Sequence, residues 1–149
     1  MGAGGLMPAS RSLFSATGFV LVYLGAVNAI FAAGTGTCTQ GAADLRGGII
    51  SLVAYSMALG CISYGKPERW WFVLLVPVLP VLAWQSWISQ RLFFGYLVQG
   101  RSACDILNGT NGQMMDGGET VDVIIWVSMT LGIWFGLALN FWGRKRPAL

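Results

Sequence analysis

Three cysteines and a group of loop carboxylates are the residues of this chain whose types could do chemistry. Cys38 stands in "GTGTCTQG", Cys61 in "MALGCISYG" and Cys104 in "GRSACDIL". Enzymes of disulfide exchange use a Cys-x-x-Cys pair, and these three thiols contain none. A closed zinc site needs four nitrogen or sulfur ligands, and the chain has no histidine. Asp105, Asp116 and Glu119, interleaved with Asn108 and Asn111, fall in one Gly- and Asn-rich stretch, "GRSACDILNGTNGQMMDGGET". Such oxygens suit calcium, but the regular EF-hand spacing is missing. They could do acid–base work only if the fold brought two of them around a cleft. The sequence therefore predicts no catalytic set, no metal and no cofactor. These five polar residues read instead as a candidate partner surface. Asn108-Gly109-Thr110 also matches a glycosylation sequon, which matters only in a eukaryotic host.

The elements that position these residues follow from composition. Of 149 residues, 55% are apolar and only 10% charged, against about 25% charged in a soluble domain. Four apolar runs, 13–33, 48–64, 70–88 and 121–142, each fit the roughly 17–25 residues a helix needs to cross a bilayer core. The fold class expected is all-α: one polytopic domain, an antiparallel four-helix transmembrane bundle with loops 34–47 and 100–120 on one side. The first run is too long for the apolar core of a signal peptide, so it is read as a retained helix. "QRLFFGYLVQG" is too apolar for a free loop, so the third helix is expected to continue to about residue 99 and to protrude.

Charge sets the expected orientation. The side with the termini carries Arg11, Lys66, Arg69, Arg144, Lys145 and Arg146 against Glu68 alone. The far side carries Arg46, Arg91 and Arg101 against Asp44, Asp105, Asp116, Glu119 and Asp122. Basic residues in short loops stay in the cytoplasm, so both termini are expected there, in a bacterial inner membrane. The terminal "RKR" then anchors the last helix rather than binding nucleic acid. Cys38 and Cys104 fall together on the outer side, where thiols pair. A Cys38–Cys104 disulfide would join the two outer loops. Cys61 lies inside the second run and reads as a packing residue.

Within lipid, helix contact depends on close approach and local hydrogen bonds. Gly25, Ala29 and Ala33 in the first run, Ser56 and Gly60 in the second, and Gly132 and Gly136 in the fourth are the expected helix-packing residues. Pro77 and Pro80 predict a kink in the third run. Asn28 is expected to hydrogen-bond across helices. No ionisable side chain falls in the middle of a run, which argues against proton-coupled transport. The layout resembles in outline the claudin-like proteins, the quinone-linked disulfide oxidases and the small immunity proteins against membrane toxins. The first-loop Trp and paired-Cys signature of the first group and the Cys-x-x-Cys of the second are missing. The expected function is non-catalytic: a small integral membrane protein that binds a protein partner, as an accessory subunit or an immunity-type blocker. The alternative is a channel or carrier formed when several copies associate.

Overall fold

The computed structural model describes residues 6–34, 45–109 and 117–143. These residues are almost all helical and contain no strand, and four helices are long and apolar enough to cross a membrane: Ala9–Ala32, Gly47–Gly65, Arg69–Val98 and Glu119–Trp142. Their outward faces carry Leu24, Ile50, Val73 and Phe135, each more than half exposed. A bilayer accepts such a belt, whereas water does not.

Helix α1 spans Leu6–Gly34 and α2 spans Leu45–Gly65. They meet antiparallel, with Gly18 against Ile62, Gly25 against Tyr55 and Gly47 against Ala32. The approach at Gly25 is close enough that a Cβ there would lie 2.7 Å from the Tyr55 ring. Glycine is required at that point, since a rigid ring cannot yield as an alkyl tip can.

The third transmembrane element has three parts. Arg69–Val78 is a 3₁₀ helix, α3 is Leu79–Leu92, and Phe93–Val98 is a π-helical turn. A ten-residue 3₁₀ stretch is unusual; Pro77 falls inside it and Pro80 just beyond its end, in the first turn of α3. Pro77 has no N–H to offer the Leu74 carbonyl, its 3₁₀ partner three residues back. The Tyr23 hydroxyl of α1 donates to that carbonyl instead. Pro80 likewise cannot serve Val76, and the Leu79 N–H divides itself between the Leu75 and Val76 carbonyls. The prolines thus change the winding of the helix, and a neighbouring side chain repairs the backbone.

Helix α5, Gly117–Trp142, completes the bundle. It runs antiparallel to α3: Tyr96 pairs with Thr120, Ser89 with Trp126, and Ser86 with Trp134. It runs parallel to α2, where Gly48 meets Ile125, Leu59 meets Gly136 and Ser63 hydrogen-bonds Asn140. Phe19 on Trp71 and Tyr23 on Leu74 make α1 parallel to the third element. Around the ring the order is α1, α2, α5, third element, with two antiparallel contacts and two parallel ones. The α2 and α3 helices face each other diagonally across the centre.

A short helix, α4, Ala103–Asn108, covers one end. Its N-cap is Ser102, whose hydroxyl accepts the Asp105 N–H at 3.0 Å. The third element reaches it directly, since a Cβ on Gly95 would lie 2.6 Å from Ile106.

Candidate functional site

Two places concentrate polar side chains: the centre of the bundle and the cap beneath α4. The central one is a chain of hydrogen bonds joining three helices. The Tyr55 hydroxyl of α2 donates to Gln85 Oε1 of α3 at 2.9 Å. Gln85 Nε2 donates to Thr130 Oγ1 of α5 at 3.2 Å. Thr130 and Ser89 share a 2.6 Å hydroxyl bond. Ser89 then donates to the Trp126 carbonyl at 3.2 Å. With Thr130 donating to Ser89, the polarity runs one way from Tyr55 to the Trp126 backbone, and every hydroxyl proton has an acceptor. Gln85 is 0% exposed. A second set ties α1 to α2. Asn28 Nδ2 donates to the Gly47 carbonyl at 2.6 Å and to Ser51 Oγ at 2.8 Å. The Ser51 hydroxyl donates to the Gly25 carbonyl at 3.1 Å.

Of these residues, sequence analysis singled out Asn28 and overlooked Gln85 and Ser89. The signal was present. Leu75, Val78, Leu82, Gln85, Ser89, Leu92 and Tyr96 recur at alternating three- and four-residue steps, and all are buried. Two polar residues on an otherwise apolar stripe must find partners inside.

In the cap, Glu119 is 2% exposed, and its Oε2 accepts the Ala103 N–H at 3.1 Å, holding the first turn of α4. Asp105 and Asp122 are also buried and take part in further interactions. Arg91 donates from Nη2 to the Ile106 carbonyl at 2.7 Å, and its guanidinium lies 4.8 Å from the centre of the Trp87 ring. The two described residues of the proposed partner surface, Asp105 and Glu119, therefore look inward. Asn111, Asp116 and the side chain of Asn108 lie outside the described residues. Among the described residues, no three of His, Cys, Asp and Glu come together to hold a metal.

Cys104 is 1% exposed, in the first turn of α4, and is not a free residue. Cys38 lies outside the described residues. Cys61 is a free, half-buried thiol in α2. The small residues divide into two groups. Gly25 and Ala29 are buried against α2, and Gly136 faces Leu59. Ser56, Gly60 and Gly132 face outward, and a Cβ on either of these glycines would meet nothing within 4 Å. The side chain of Ala33 lies outside the described residues. Pro77 and Pro80 are on the outward side of the third element.

Among the described residues, two neighbouring cavities beside the cap share part of their lining. One, of about 340 Å³, is lined by Arg91, Arg101, Gln90, Gln99, Trp87 and Phe94, with Gly95 and Ile106 behind them. The other, of about 450 Å³, is an apolar groove between α3 and α5 that reaches down to Ser86 and Trp134. Compared with protein-family models, curated proteins and solved structures, the chain matches none.

Proposed function

We propose that this chain is a non-catalytic membrane protein that works by binding another membrane protein, as an accessory or assembly subunit or an immunity-type blocker. The observation that carries this reading is the outward position of Gly60 and Gly132. Glycine inside a helix costs about 1 kcal/mol relative to alanine, and neither glycine has a neighbour in its own fold that needs the space. A second helix lying against α2 and α5 would use it, because helices in lipid associate where small residues let backbones approach. The occupant is a transmembrane helix of a different protein. The polar residues at the centre bond to one another and the cap carboxylates are buried, so neither offers a reactive group to a substrate. In this reading the chain sits in a bacterial inner membrane with its termini in the cytoplasm. A Cys38–Cys104 disulfide fastens the first outer loop to α4, consistent with the burial of Cys104.

The test is mild extraction from native membranes after photo-crosslinking from position 60 or 132. A heterologous membrane protein should be captured, and Gly132→Leu should abolish capture while leaving the fold intact. A monodisperse chain that captures nothing in either arm would refute the reading. Capture of a second copy alone would favour a homo-oligomeric channel, with flux in proteoliposomes as the deciding assay.

A further inference from the structure

The cavity at Arg91 and Arg101 and the apolar groove between α3 and α5 share two wall residues, Gln90 and Phe94. They therefore adjoin across a common wall, a cationic upper part beside an apolar lower part. The upper part presents two guanidiniums and the amides of Gln90 and Gln99. Arg91 already serves the Ile106 carbonyl and lies over the Trp87 ring, and Arg101 takes part in a further interaction. A guanidinium has five N–H donors in a fixed fork, so an arginine holding one protein partner still binds a phosphate. The contact with Trp87 fixes the direction of the Arg91 fork. The lower part is walled by Phe93, Val127, Leu131 and Trp134. From Phe94 down to Ser86 it follows eight residues of the third element, about 12 Å at the helical rise.

The two parts lie at a membrane interface. Trp87 is exposed in the second half of the span Arg69–Val98, and tryptophan concentrates at the headgroup layer. The π-helical turn over Phe93–Val98 borders the upper cavity through Phe94 and Gly95. Two guanidiniums that line one cavity attract a phosphate.

We propose that the two parts together are a binding site for one anionic phospholipid of the surrounding bilayer. The headgroup phosphate sits between Arg91 and Arg101, and an acyl chain lies in the groove along α3 and α5. Charge complementarity selects the occupant. A zwitterionic lipid brings a trimethylammonium group toward the same arginines, whereas a phosphatidylglycerol brings none. The site is independent of the partner helix proposed for α2 and α5.

The experiment is native mass spectrometry of the full-length chain released from nanodiscs that contain equal fractions of phosphatidylglycerol and phosphatidylcholine. The wild-type chain should retain one phosphatidylglycerol in preference to phosphatidylcholine. The Arg91→Gln/Arg101→Gln double variant should lose that preference by about tenfold, which is about 1.4 kcal/mol of selectivity. Because Arg91 also steadies α4, a second variant acts on the other half of the site. Leu131→Trp fills the groove from an exposed position and should lower retention of long-chain lipid with both arginines in place. Equal retention of the two lipids by the wild-type chain, or unchanged retention in both variants, would overturn the proposal.

Discussion

Replacing Gln85 by leucine tests whether the central hydrogen-bond chain holds the bundle together. Leucine is close to glutamine in size and suits the apolar stripe, so the perturbation is chiefly polar. It removes the bond from Tyr55 at 2.9 Å and the bond to Thr130 at 3.2 Å. Thr130 keeps Ser89 at 2.6 Å, so the orphan is the Tyr55 hydroxyl, on a residue only 2% exposed. Interhelical hydrogen bonds in membranes average about 0.6 kcal/mol and reach about 1.7. A buried donor left without an acceptor adds its own desolvation, about 1–3 kcal/mol. Gln85→Leu should therefore cost about 1–3 kcal/mol in all, with the orphaned hydroxyl as the larger part. The double variant Tyr55→Phe/Gln85→Leu removes both donor and acceptor, and it should be more stable than Gln85→Leu alone. Steric trapping in bicelles, or unfolding in mixed micelles followed by tryptophan fluorescence, measures both variants and the single variant Tyr55→Phe on one scale. A Gln85→Leu chain indistinguishable from wild type, or a double variant whose loss equals the sum of the single losses, would refute a cooperative polar core.

Four further outcomes follow from specific contacts. Tyr23→Phe strands the Leu74 carbonyl and should destabilise by about 1 kcal/mol; Pro77→Ala in that background restores an N–H partner and should recover part of the loss in the same unfolding assay. Gly25→Ala drives a methyl into the Tyr55 ring and should cost about 1–3 kcal/mol, while Gly132→Ala meets nothing and should stabilise by up to about 1 kcal/mol, which one set of melting curves compares. Glu119→Ala removes the acceptor of the Ala103 N–H and should weaken the start of α4 by about 1 kcal/mol, seen as faster hydrogen exchange at residues 103–106. Peptide mapping without reductant should find Cys38 linked to Cys104, and reduction should lower stability by roughly 4 kcal/mol on the chain-entropy model; two free thiols in the native protein would remove the staple.

Hydropathy alone located all four long helices, because a transmembrane helix is an average over some twenty residues and tolerates local error. Its ends were less legible. The first helix begins before residue 13 and the fourth before 121, since polar first turns such as that at Glu119 look like loop to a hydropathy window. Helix α4 was hidden in a stretch read as loop, although Ser102 followed three residues later by Asp105 is a helix-start pattern. Which small residues pack inside was not legible. Gly25 and Gly132 are alike in local sequence terms, and only the ring order of the helices decides that one meets Tyr55 and the other faces outward. The inward turn of Asp105 and Glu119 was equally out of reach, because it depends on α4 folding back over the first turn of α5.

The position of Gln85 has a consequence for the order of assembly. Its two partners come from opposite sides of it in the chain, Tyr55 from α2 and Thr130 from α5. As the chain emerges, α1 and α2 can close first, because their interface is local and already holds Asn28, Ser51 and Gly25. The third element then arrives with Gln85 half satisfied and Ser89 waiting, and both stay so until α5 is made. The parallel pair α2 and α5 cannot form earlier, since the whole third element separates them in time. Until that last helix enters, the nascent protein carries polar side chains with nothing to bond to but lipid or the insertion machinery. A chain stalled just short of Thr130 is therefore the form quality-control proteases should recognise most readily.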